Sequence, residues 1–144
     1  MKKLLKHTAL AAGLLAVGFG VHAQTITLKV HHFLGPQSIQ HTTMMGDWCK
    51  NIARDSKDRL KCDIFPAMQL GGTPVQLYEQ ARDGVIDVAW TLQAYTPKLA
   101  KLEVFELPFM MTNAEATSRA AWDYAQKYAQ DDFKDVKMLA VHVH

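Results

Sequence analysis

Short stretches of alternating apolar and polar residues set out the first elements of the chain. Ile26-Thr27-Leu28-Lys29-Val30 alternates with the period of a half-buried strand and runs on into His31-His32-Phe33 before Gly35-Pro36 breaks it. Ser38 then caps a helix expected over residues 38–56, whose apolar stripe is Met45, Cys49 and Ile52 with Trp48 beside it. Leu60-Lys61-Cys62-Asp63-Ile64 alternates again and predicts a second strand, closed by Pro66. Thr73, Pro74 and Gln76 make a capping box with proline where its missing N–H does no harm. The helix they open is expected to reach Arg82, with Gly84 as its C-terminal glycine. Residues 85–90 are nearly all apolar and read as a third strand, covered on both faces.

Strands alternating with helices predict an α/β fold with parallel strands and right-handed crossovers. After a loop containing Pro97, residues 104–109 predict a short extended piece. Thr112-x-x-Glu115 is a second capping box, opening a helix to about Tyr128 with Ala121, Trp122, Tyr124 and Ala125 on or near its buried side. Residues 136–143 predict a last strand, and the chain stops inside it. No repeat or low-complexity tract divides the sequence.

The first residues change the reading of the charge. Lys2, Lys3 and Lys6 precede an apolar run from Thr8 to Val21, and Val21-His22-Ala23 ends it with small residues at the first and third positions. These are the three parts of a secretory signal peptide, expected over residues 1–23. The run is too short for a membrane-spanning helix, which needs roughly 20 residues. The whole chain has 16 Lys+Arg against 14 Asp+Glu, but from Gln24 onward the balance is 13 against 14. The basic excess is thus a targeting feature, and no basic stripe with interleaved aromatics points to nucleic acid. The 121 residues from Gln24 onward suffice for one domain with its own core.

Export also bears on the two cysteines, since an even pair in an oxidising compartment favours a disulfide. Cys49 lies on the inward stripe of its helix and Cys62 on the inward face of the next strand, so a bond between them is feasible. Two buried free thiols remain the alternative.

In an open parallel sheet, ligands sit beyond the carboxyl ends of the strands. Those ends here are His32-Phe33, residues 68–73 and residues 91–95. The helix start after Thr73, with Gly71-Gly72 before it, offers free backbone N–H groups to an anion and so favours an acidic small molecule. Trp90 ends a strand at the same edge, where a core role and a ligand contact are both open. Asp83 and Asp87 flank a turn and a strand start and are read as solvating it. No nucleophile elbow, zinc-protease helix or phosphate loop is present, which argues against an enzyme. His31-His32 and His142-x-His144 would form a metal site only if the two pairs met in space, and neighbours on a strand face opposite sides.

Three stretches carry a family resemblance. They are residues 60–74 (LKCDIFPAMQLGGTP), residues 80–91 (QARDGVIDVAWT) and residues 104–109 (VFELPF). The chain resembles the DctP-type solute-binding proteins of TRAP transporters over essentially all of residues 24–144. The resemblance implies an α/β binding protein of the periplasmic type II-like fold with two lobes. Residues 24–144 would form an incomplete N-terminal lobe ending in the first strand that crosses to the second domain. It also implies capture of an organic acid (a dicarboxylate, keto acid or aromatic carboxylate) in the periplasm and its delivery to the membrane subunits of a TRAP permease, with no cofactor. The family's contacts from this lobe map onto His32, Phe33, Thr73, Trp90, Leu92, Gln93 and Tyr95. An arginine that holds the ligand carboxylate is expected from the second domain. The stretch Lys98-Leu99-Ala100 after Thr96-Pro97 departs from the family pattern and is shorter. A periplasmic metal-binding protein using His31/His32 and His142/His144 is the alternative function.

Overall fold

The computed structural model describes residues 24–111 and 113–143. Residues 1–23, where the signal peptide is expected, Thr112 and His144 lie outside the described residues.

Three strands form one parallel sheet in the order β2-β1-β3, with β1 at Ile26–His32, β2 at Leu60–Phe65 and β3 at Val88–Trp90. Partners in register share a face, so Val30, Ile64 and Val88 leave the sheet on one side and His31, Phe65 and Ala89 on the other. The helix α1, Gly46–Asp55, packs against β2 on the Val30 face, where the sulfurs of Cys49 and Cys62 are bonded with their Cα atoms 5.7 Å apart. The helix α2, Leu77–Arg82, buries Leu77 and Tyr78 and meets the sheet on the opposite face, where Gln80 reaches His31.

The turn out of α2 explains why the third strand is shorter than its apolar run. Gly84 takes φ +73°, its N–H bonds to Ala81 O at 3.2 Å, and the Val85 N–H bonds to Gln80 O at 2.9 Å. This Schellman closure uses residues 83–85. Asp87 then meets β1 through its side chain as well, Oδ2 accepting the Lys29 N–H at 2.8 Å while its own N–H goes to Lys29 O at 3.1 Å. The ladder proper starts at Val88. The strand expected over residues 85–90 is therefore corrected to Val88–Trp90, and its residues are half-buried rather than enclosed.

Two further expectations fail for a common reason. Residues 104–109 do not extend; Pro97–Glu106 is 3₁₀-helical with a kink at Leu99. Leu99 and Leu102 are buried and Phe105 packs beside Leu102, a spacing of three that stacks side chains on a 3₁₀ turn. Residues 136–143 form no strand ladder. Met138 and Val141 instead pack on Leu102, Ala125 and Ala129, and the Val143 N–H goes to Ser118 Oγ at 3.0 Å. In both segments the apolar residues are spent on packing at intervals of three rather than on a strand face.

The last helix, α3, is Ala114–Tyr128, with Ala121 and Ala125 buried as expected. Its cap is Asn113 rather than Thr112: Asn113 is extended and its Oδ1 accepts the Ala116 N–H at 2.9 Å.

Candidate ligand-binding site

β1 and β3 end side by side, because His32 is in register with Trp90. The chain leaves β1 into Phe33, and leaves β3 through Thr91 and Leu92 into the 3₁₀ turn Gln93–Tyr95. That turn is pinned by buried Thr96, whose Oγ1 donates to Leu92 O at 3.0 Å. Three of the expected contact residues are thereby gathered into one aromatic cluster. The Phe33 ring lies 5.4 Å from Trp90 and meets the Tyr95 ring edge-on at 5.2 Å. All three are half-buried, so they line a surface and are not sealed in the core.

A fourth ring extends the cluster. His142 stacks on Trp90 at 5.8 Å, and the Trp90 indole N–H donates to its Nε2 at 2.9 Å. In the sequence His142 stands out only as a candidate metal ligand paired with His144, not as part of the ligand site. Nothing local marks it; it arrives through packing of the 136–143 segment on the core.

His32 is wholly buried. Its Nε2 lies 2.9 Å from Nδ1 of His41, the rings 5.2 Å apart. Burial, then the neighbouring His41 and His31, push its pKa down to about 4.

Thr73 stands apart from the rings. Gln76 Oε1 accepts its backbone N–H at 2.9 Å and its hydroxyl at 3.2 Å, so the reciprocal half of the capping box is made. The helix opens as the 3₁₀ turn Pro74–Gln76, which packs beside the Gln93–Tyr95 turn. The anion expected at this helix start meets a donor, Thr73 N–H, that Gln76 already holds. The preceding loop is crowded as well: Gln80 Nε2 donates to Gly71 O at 3.0 Å, and a Cβ on Gly72 would sit 2.8 Å from that nitrogen.

A cavity of about 470 Å³ opens along the outer edge of β3. Trp90, Leu92, Gln93 and His142 line it, but so do Val30, Met45, Leu99 and Leu102, which belong to the apolar interior. His32, Phe33, Thr73 and Tyr95 do not. It is a gap in packing beside an edge strand that touches the aromatic cluster at one end, and the cluster itself is the better candidate for ligand contact.

The metal alternative finds no support. His31 and His32 leave the sheet on opposite faces, His31 to Gln80 and His32 to His41, while His142 joins Trp90. Among the described residues no group of three or more His, Cys, Asp or Glu side chains is placed to hold an ion. Asp83 forms an ion pair with Arg82, which holds its carboxyl below the usual carboxylate range. Arg82 also pairs with Glu79, so this arginine is committed within α2 and its turn.

Comparison with known proteins agrees with this geometry. A TRAP solute-binding protein from Rhodoferax ferrireducens, solved with copurified benzoate, is 53% identical and superimposes with a TM-score of 0.80 over 83% of this chain and 38% of its own. A marine metagenome TRAP solute-binding protein specific for aromatic acid ligands, solved with 3-hydroxybenzoate, is 43% identical with a TM-score of 0.81 over 84% and 38%. The outer membrane transporter protein TsaT of Comamonas testosteroni is 29% identical over 92% of this chain and 40% of its own length. The chain thus spans about two fifths of the relatives it matches. The family model DctP, bacterial extracellular solute-binding protein, family 7, matches residues 30–143. With its parallel sheet, its aromatic strand ends and this match over most of its length, the chain belongs to the DctP family of bacterial extracellular solute-binding proteins.

Proposed function

We propose that the protein is the periplasmic solute receptor of a TRAP transporter, and that its solute is an aromatic carboxylate. Residues 24–144 are read as its N-terminal lobe and residues 1–23 as the signal peptide that exports it. The observation that carries the reading is the cluster of Phe33, Trp90 and Tyr95 at the adjoining ends of β1 and β3. Rings set at 38° and 87° to one another offer both a face and an edge to a flat solute. An aromatic contact of this kind contributes about 0.5–1.5 kcal/mol beyond the area it buries. A short dicarboxylate or keto acid gains nothing comparable from such walls, which narrows the three acid classes to one. The two similar structures solved with benzoate and 3-hydroxybenzoate support the same choice.

No chemical step is assigned to the site. The protein captures its solute unchanged and passes it to the permease subunits, and neither role needs a cofactor. The test is tryptophan emission of the full-length protein during benzoate titration. Saturable quenching that disappears in Trp90→Phe is expected. Unchanged emission at millimolar benzoate, or quenching that survives the substitution, would overturn the assignment of this cluster.

A further inference from the structure

His32 carries an unexplained nitrogen. Its Nε2 faces His41, but its Nδ1 is enclosed and has no hydrogen-bond partner. Buried polar atoms are nearly always paired, so an unpaired one held at the end of a strand calls for a role. His32 is the register partner of Trp90, so the two side chains leave the sheet on the same face, and Phe33 follows it in the chain.

His41 reaches His32 through an uncommon turn. Residues Gln40–Met45 are wound as a π-helix, a form that recurs at functional sites. Both backbone groups of His41 are held: its N–H goes to Ser38 Oγ at 3.3 Å, and its C=O accepts the N–H of Gly46, the C-cap of this turn. A Cβ at residue 46 would lie 3.3 Å from that same oxygen, a tight contact that glycine avoids. The ring of His41 is therefore presented to His32 from a fixed backbone.

A neutral imidazole has one N–H, and the partner of one nitrogen decides where it sits. Two arrangements fit the 2.9 Å contact. If His32 donates from Nε2, its Nδ1 is a bare acceptor, which repels a carboxylate. If His41 donates from Nδ1, the proton of His32 must lie on Nδ1, where it can be given to an acceptor. A carboxylate has acceptors only. We propose that His41 is a positioning residue that donates to Nε2 of His32 and so keeps a proton on His32 Nδ1 for a carboxylate oxygen of the solute. The low pKa of His32 fits, since it keeps the ring neutral at physiological pH. This assignment rests on the carboxylate reading above and adds to it a residue outside the aromatic cluster.

The test pairs ¹⁵N NMR of the histidine rings with benzoate calorimetry on the full-length protein. In the ligand-free wild type, His32 is expected as the Nδ1–H tautomer, with Nε2 bare. His41→Phe, which keeps a ring but no donor, should shift His32 toward the Nε2–H tautomer and weaken benzoate binding by about tenfold, the scale of one lost charge-assisted hydrogen bond. His41→Asn, which retains a donor near the same position, should restore both. An Nε2–H tautomer in the wild type contradicts the assignment whatever binds. Wild-type benzoate binding matched by His41→Phe defeats the assignment alone and leaves the solute reading standing. Failure of the wild type to bind benzoate or 3-hydroxybenzoate overturns both.

Discussion

His31 and Gln80 are joined across the sheet face, Nδ1 to Oε1, at 2.8 Å. The Leu70 N–H approaches the other ring nitrogen at 3.4 Å, which makes Nε2 the acceptor and Nδ1 the donor. Gln80 passes the connection on, its Nε2 donating to Gly71 O at 3.0 Å. One buried imidazole and one amide thus tie α2 to the loop that follows β2. Ala67 and Met68 in that loop hold positive φ values of 50° and 57°, which side-chain-bearing residues rarely adopt and which such ties sustain.

Gln80→Leu removes the partner of a wholly buried imidazole nitrogen. The expected loss is about 1–3 kcal/mol in denaturant unfolding. Amide exchange at Leu70 and Gly71 should accelerate more than exchange in β1. Uniform acceleration across the sheet would mean that the amide supports the fold in general and not this loop.

Reducing the Cys49–Cys62 bond reopens a loop whose ends are 13 residues apart. In the chain-entropy account this costs roughly 3 kcal/mol. Melting with and without reductant checks it, and the paired Cys49→Ser, Cys62→Ser variant should match the reduced protein. Identical melting curves in both conditions would show that α1 and β2 hold together without the bond.

The depressed pKa of His32 makes stability depend on pH. Above about 6.5 the ring is neutral whether folded or unfolded, and it contributes no slope. As pH falls from there to about 4, the unfolded chain takes up a proton that the folded one refuses, so stability drops; below about 4 the contribution levels off. The full drop is on the order of 3 kcal/mol. Unfolding free energies at intervals between these limits should show the slope in the wild type and a shallower one in His32→Gln. Equal slopes would assign the effect to other groups.

The parts of the fold that rest on local rules could be read from the residues. β1 and β2 follow from alternation, and Gly84 closes α2 as its position predicts. The parts that depend on distant packing could not. Residues 104–109 look extended in isolation, yet Val104 to Glu106 close a 3₁₀ stretch in which Leu102 packs on Ala125 of α3 with Phe105 against them. The segment 136–143 alternates well enough for a strand, yet Met138 and Val141 go to the same cluster. The site divides in the same way. Phe33, Trp90 and Tyr95 could be placed because they flank strand ends, where a parallel sheet opens. His41 and His142 carry no local signal, since a π-turn and a folded-back segment bring them in.

Phe33, Trp90 and Tyr95 are proposed to select an aromatic acid over an aliphatic one. Competition calorimetry on the full-length protein tests it, with benzoate and succinate offered separately and then together. Saturable benzoate binding that succinate in large excess does not displace, and that Trp90→Ala weakens by tenfold or more (about 1.4 kcal/mol), is the predicted result. Succinate binding that excludes benzoate, or benzoate binding indifferent to the loss of Trp90, would contradict the account.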